Sequence, residues 1–282
     1  MDRPRNGNGG SEGASGSRLR ASAFHVATGV AVVVAAAFFV LPLIGILRQG
    51  DPGAGLSSSL AGPALRISLE LSAVSLGAMV LFGTPVAYWM ATHDFRGKAI
   101  LSTAFELPLV LPPAVAGLGL FAAFGRTGML GSELDALGLQ LPFTPAAVVM
   151  AMTFVAGPLY LRQAEATFVA VDKNLLAAAQ TLGAGPAKVF LRVAVPLASA
   201  GLGAGAALGW ARALGEFGAT IMFAGSLQGV TQTAPIAIYL GFERGAFDEV
   251  YGLGAVLIAI SAVVLLAAKL IARGRLPRFV PT

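Results

Sequence analysis

A chain of 282 residues in which 56% are hydrophobic and only 12% charged has about half of the roughly 25% charge that a water-soluble domain uses to cover its surface. The formal net charge of +5 is scattered between long apolar stretches, with no basic stripe and no interleaved aromatic run, which excludes nucleic acid as the partner. With no Cys and only two His, His25 and His93, a disulfide framework, a thiol nucleophile and a Cys/His metal centre are excluded too.

Residues 1–20 are rich in Gly, Ser, Asn and Arg, lack apolar periodicity, and read as a disordered cytoplasmic tail. The apolar blocks that follow read as an all-α integral membrane domain, 21–272, of six transmembrane helices: Ala21–Leu47, Ile67–Thr92, Ile100–Phe124, Pro145–Leu161, Ala194–Phe223 and Val250–Ala272. Most hold the roughly 20 residues that cross a bilayer; the fourth is short and the fifth long. The first exceeds the about 7–15 apolar residues of a signal-peptide core and is expected to remain as an anchor. Membrane helices tolerate the 36 Gly and 16 Pro that soluble helices would not. Residues 273–282 read as a second tail. Apart from Arg212, inside a span, every Lys and Arg except Arg48, Arg66, Arg126 and Arg244 falls on one side of this arrangement. The positive-inside bias therefore puts both termini in the cytoplasm.

Within the spans, Glu70 and Glu106 are expected to reach the interface or a neighbouring helix. Pro108, Pro112 and Pro113 must bend or break the third span, and broken membrane helices tend to line cavities. The segment 162–193 is a cytoplasmic connector with the punctuation of a helix–turn–helix. Asp172 suits an N-cap, Gly183 a left-handed C-terminus and Pro186 the first turn of a second helix. Leu175, Leu176, Leu182, Val189 and Phe190 give this connector an apolar surface, either for docking on another protein or for packing on its own bundle. Gly201, Gly205 and Gly209 form a small-residue ladder on the fifth span, for close packing within the chain or along a seam between two copies. Arg212 and Glu216, four residues apart, share a helix face and read as an internal ion pair or as a polar element near a path or gate. Thr231, Gln232 and Thr233 precede Pro235 in an outer segment. Thr233 is expected to cap a short helix there, whose free amides would either meet an incoming anion or form an ordinary capped turn.

Ala177-Ala178-Ala179, then Gly183, then Val193-Ala194-Val195-Pro196 resembles the cytoplasmic signature of permease subunits in binding-protein-dependent ABC importers, with a family Glu replaced by Ala177. Ala211-Arg212-Ala213-Leu214-Gly215-Glu216-Phe217-Gly218-Ala219-Thr220, together with Met222–Gly225 and Gly229–Thr233, is similar to the molybdate-type permeases, as are Leu107–Pro113 and Gly125–Gly128. Sulfate-type permeases share a looser Leu-Gly-Glu-Phe-Gly core. The resemblance covers about residues 66–272. It implies a type I (MetI-like) permease bundle in a bacterial inner membrane, alternating between inward and outward openings. Its expected partners are a second copy of the chain, two ATPase subunits and an external oxyanion-binding protein. It implies that Ala177, Ala178, Ala179, Gly183, Phe190 and Pro196 belong to the loop that couples to the ATPase. Arg212, Glu216 and the glycine ladder are pore, gate or packing candidates, and Thr231, Gln232 and Thr233 are anion-path candidates.

No Gly-x-x-x-x-Gly-Lys-Ser/Thr loop occurs in the chain, so ATP and Mg belong on a partner and this chain carries no cofactor and no catalysis of its own. The rival readings are a sulfate or thiosulfate permease and, from a different class, a transporter driven by an ion gradient. The latter predicts inverted repeats, which the two halves lack, and leaves the connector without a purpose. An intramembrane enzyme would need a nucleophile or metal cluster, and a purely structural scaffold would show no transport.

Overall fold

The computed structural model describes residues 11–51, 53 and 61–274, with side chains described from Phe24 onward except at 268 and 271–274. The described residues form helices and the turns between them. The chain divides into two units, residues 1–49 and 50–282.

The first unit is one helix, α1 (Ser11–Gln49), whose stretch Phe24–Gln49 is long and apolar enough to span a bilayer. It starts inside the segment expected to be a tail. A nucleated helix extends outward at little cost because each further residue adds a hydrogen bond. Residues 1–10 and 275–282 of the expected tails lie outside the described residues.

The second unit holds α2 (Ala61–Thr92), α3 (Lys98–Val110), α4 (Pro113–Phe124), α5 (Gly131–Ala136), α6 (Pro145–Val169), α7 (Lys173–Thr181), α8 (Pro186–Val189), a π-helical turn (Phe190–Ala194), α9 (Val195–Leu214), α10 (Gly218–Ala224), α11 (Ala234–Glu243) and α12 (Phe247–Gly274). Among the described residues five stretches are long and apolar enough to span: those of α1, α2, α6 and α12, and the joined helix Pro186–Leu214. There are six if α3 and α4 count as one span.

The third expected span is not one rod. α3 and α4 meet at 117°. Pro112 and Pro113 stand back to back, and Leu111, at ψ 139°, takes the extended backbone that a following proline imposes. The fourth span runs on to Val169 instead of stopping at Leu161, because no Gly or Pro follows Pro158 in it and Ala164 and Phe168 stay buried. The connector therefore begins at Ala170 rather than at 162. The fifth span stops at Leu214 instead of reaching Phe223, where Gly215–Phe217 leave helical geometry before α10 starts.

α6 is the central helix. It buries Ala147, Val148, Ala151, Met152, Val155, Ala156, Tyr160, Ala164 and Phe168, residues from all around its circumference, as a helix surrounded by others requires. α2 packs along it, held by two polar contacts: Ser75 Oγ lies 2.9 Å from Thr153 Oγ1, and Thr84 Oγ1 lies 2.6 Å from Tyr160 OH. α9 packs on another face of α6 through the glycine ladder. A Cβ at Gly205 would stand 2.9 Å from Gln163 Cγ, one at Gly209 3.4 Å from Tyr160 Cβ, and one at Gly201 would collide with Thr167. The ladder thus serves close packing within the chain. Trp210 Nε1 donates to Ser72 Oγ at 2.8 Å, fixing α9 to α2 as well.

Candidate functional site

Three places gather the residues singled out by sequence. The first is the connector. Asp172 caps α7 by accepting the Asn174 N–H at 2.9 Å. At the other end Gly183 (φ 84°) gives its N–H to Gln180 O, and Ala184 gives its N–H to Ala179 O, the paired closure that a left-handed glycine permits. Pro186 then opens α8. With both ends tied, the apolar residues divide. Leu176, Val189 and Phe190 pack against the central core. Leu175 is 48% and Leu182 89% exposed, and with the exposed Ala178 they fall at i, i+3 and i+7, one stripe along the element. Ala177 and Gly183 border that stripe and are exposed, while Ala179 is half-buried. Pro196, also exposed, lies on α9 beyond the π turn and not on the stripe. Packing on its own bundle accounts for Leu176 and Phe190, and it leaves Leu175 and Leu182 uncovered.

The second place is the break in the fifth span. Arg212 Nη1 lies 2.8 Å from Glu216 Oε2. Glu216 Oε1 accepts the Ala219 N–H at 2.8 Å, in the first turn of α10. At 1% exposure the carboxylate satisfies three needs together: it neutralises Arg212, takes an otherwise free helix-terminal N–H, and meets the positive end of a helix. Arg212 is not a bare cation waiting for an oxyanion. α10 leaves this break packed tightly on α4, where Gly117 and Gly218 make room. A Cβ at Gly218 would lie 2.6 Å from Pro113 Cβ, and one at Gly117 2.7 Å from Ala219 O. The two broken spans therefore meet each other. Of the two other acidic residues singled out within the spans, Glu106 approaches Arg162 of the neighbouring α6 at 3.9 Å, whereas Glu70 pairs with Arg66 on its own helix at 2.6 Å, because a partner four residues away is already within reach.

The third place is Thr231–Thr233, all three residues buried. Thr231 Oγ1 accepts the Leu227 N–H at 3.0 Å, and Leu227 O takes the N–H groups of Val230, Thr231 and Gln232. Thr233 occupies the N-cap position of α11, but its side chain does not cap. Pro235 removes the N–H of the second helical residue, one of the two usual targets of a cap. The N–H of the first helical residue, Ala234, goes to Ser68 Oγ of α2 at 2.7 Å. Thr220 and Thr233 are left with buried hydroxyls that have no partner among the described residues. The three side chains are enclosed within the chain.

Sequence reasoning missed Ser68, Ser72 and Ser75. Their i, i+4, i+7 spacing on α2 was a usable signal for a polar stripe facing other helices. It also missed how Tyr88, Phe168 and Phe190 come together, which no local spacing reveals.

Comparison with known proteins places these features in a family. The family described as "Binding-protein-dependent transport system inner membrane component" matches residues 83–279. The molybdenum transport system permease protein ModB of Mycobacterium tuberculosis is 40% identical over 232 residues, covering 81% of this chain and 88% of that protein. ModB of Escherichia coli K12 is 37% identical over 216 residues, covering 74% and 93%. Among solved structures, a bacterial alginate ABC transporter in complex with an alginate pentasaccharide-bound periplasmic protein has a similar fold. Its TM-score is 0.70 at 16% identity, over 92% of this chain and 96% of that one.

Proposed function

The chain belongs to the inner membrane components of binding-protein-dependent transport systems, and from that premise we infer that it is the membrane-spanning permease subunit of a molybdate ABC importer. The observation in the molecule itself that carries this reading is the exposed stripe Leu175–Ala178–Leu182, on an element whose two ends are firmly closed. An apolar ridge so placed outside the spans calls for a partner surface. In an importer that partner is an ATPase.

The division of labour in this reading is supported by the distribution of charge and by the exposed stripe of the connector. Both termini and the connector lie on the cytoplasmic side of the bacterial inner membrane, in keeping with the Lys and Arg distribution. Two copies of the chain stand between two ATPase subunits inside and an oxyanion-binding protein outside. ATP and Mg are held by the ATPase, which supplies the energy. This chain takes up the movement at Ala177, Ala178, Ala179, Gly183 and the exposed leucines. The helix Pro186–Leu214 continues that element, through the π turn at Phe190–Ala194, to the break at Gly215–Phe217. There the Arg212–Glu216 pair holds α9 and α10 in register with the bent α3–α4 pair. Alternating access then amounts to a change in how these two broken spans face each other across the pair of subunits.

Uptake of labelled molybdate into cells lacking this chain, with and without its re-expression, tests the reading. Restored uptake that excess tungstate blocks and excess sulfate does not is the expected result. Uptake blocked by sulfate alone would move the chain to the sulfate permeases, and no restored oxyanion uptake would overturn the reading.

A further inference from the structure

Between the connector and the fifth span the helix changes its winding. Pro196 has no N–H, so a regular α-helix would leave the Arg192 carbonyl without its partner. The chain forms a π turn at Phe190–Ala194, with the Val195 N–H on Phe190 O. A π turn inside an α-helix is a widened, less regular segment. It lies between the element that meets the ATPase and the span that must respond, so a push delivered along the helix alone would be lost there as bending.

Three aromatic rings brace that point. Phe190, the first residue of the π turn, has its ring centroid 4.9 Å from that of Tyr88 on α2 and 6.4 Å from that of Phe168 on α6. Tyr88 and Phe168 stand 5.3 Å apart, edge to face at 74°. All three separations are within the 4.5–7 Å range in which aromatic pairs attract. The rings come from three separate elements. Val189, just before the turn, and Ala194, its last residue, are fully buried, so Phe190 is held inward while Leu191 beside it is exposed. Leu176 of α7 packs against the same core.

We propose that Tyr88, Phe168 and Phe190 form the joint that passes the connector's movement sideways to α2 and α6, with Phe190 as its positioning residue. The proposal rests on the reading of the connector as the ATPase-facing element. The π turn gives the helix freedom to yield, and the rings decide where the yielding goes: α2, α6 and the start of α9 move as one body.

The test uses this chain assembled with its ATPase and binding protein in proteoliposomes, reading molybdate taken up per ATP hydrolysed. Phe190→Leu and Tyr88→Leu are expected to keep the ATPase bound and hydrolysing, while uptake per ATP falls roughly tenfold, inside the range typical of coupling between two sites. Tyr88→Phe, which keeps the ring, is expected to leave the ratio unchanged. An unchanged ratio in both leucine variants overturns the proposal. So does loss of the ATPase from both complexes, because the rings would then shape the docking surface instead of relaying its movement. A wild-type complex that binds its ATPase but takes up no molybdate would break the functional reading itself, and this inference with it.

Discussion

At one end of the helix Pro186–Leu214 the connector turns Leu175 and Leu182 to solvent. At the other, Glu216 is enclosed between Arg212 and the Ala219 N–H. Both ends interrupt a helix, and both close their backbone hydrogen bonds. They differ in what is left over. The connector satisfies its polar groups locally and leaves apolar surface uncovered, so another molecule has to finish it. The break covers its apolar surface against α4 and uses a buried charge for its polar groups, so the chain finishes it alone. On the proposed reading, an interface that forms and moves with a partner is apolar outside and tied within, and a joint that stays assembled holds an ion pair with its carboxylate buried.

The largest expected effect is at the closed end. Glu216→Ala leaves Arg212 without its counter-charge and uncaps α10, and breaking a buried pair costs about 3–5 kcal/mol. Arg212 is about a third exposed, which puts the expected loss toward the lower figure. Thermal unfolding of the purified protein in detergent should show it, with part of the loss recovered in the double variant Arg212→Ala/Glu216→Ala. A stable Glu216→Ala protein would mean the break is not self-sufficient. Next comes the open end. Leu182→Asp should change the protein's own stability by no more than about 0.5 kcal/mol, as exposed sites do. Its affinity for the ATPase should fall by about thirtyfold or more, the loss of one interface anchor worth about 2 kcal/mol. Copurification and titration against the isolated ATPase read both numbers, and unimpaired binding would erase the contrast. The smallest effect is expected at Thr233→Val. Its hydroxyl already lacks a partner, so an apolar group of the same shape should be close to neutral, with unfolding and molybdate uptake unchanged. A variant that stays stable but loses uptake would instead place that hydroxyl on the anion's route.

What was legible in the sequence is what depends on local chemistry. Asp172, Gly183 and Pro186 announced the ends of α7 and the start of α8 because caps and turns are settled within a few residues. The double proline announced the break between α3 and α4 for the same reason. What was not legible depends on distant partners. Leu176 and Leu182 are equally apolar, and only the presence of the core beneath one of them separates their roles. Thr233 sits where a cap belongs, yet its side chain does not cap, and the neighbouring Ala234 N–H is taken by Ser68, 166 residues away in sequence. The fifth span looked continuous through Gly215–Phe217 because Glu216 stabilises the interruption through contacts that spacing alone presented as helical.

The 29 residues from Pro186 to Leu214 have a mechanical consequence. At 1.5 Å per residue they measure about 43 Å, against about 30 Å for the hydrocarbon layer. The surplus of about two turns matches the stretch up to the end of the π turn, and the straight rod is α9, 20 residues long or about 30 Å. A sideways step of about 3 Å at the start of α9 tilts that rod by about 6° on that length. A small displacement in the aqueous phase is thus converted into a rotation within the membrane.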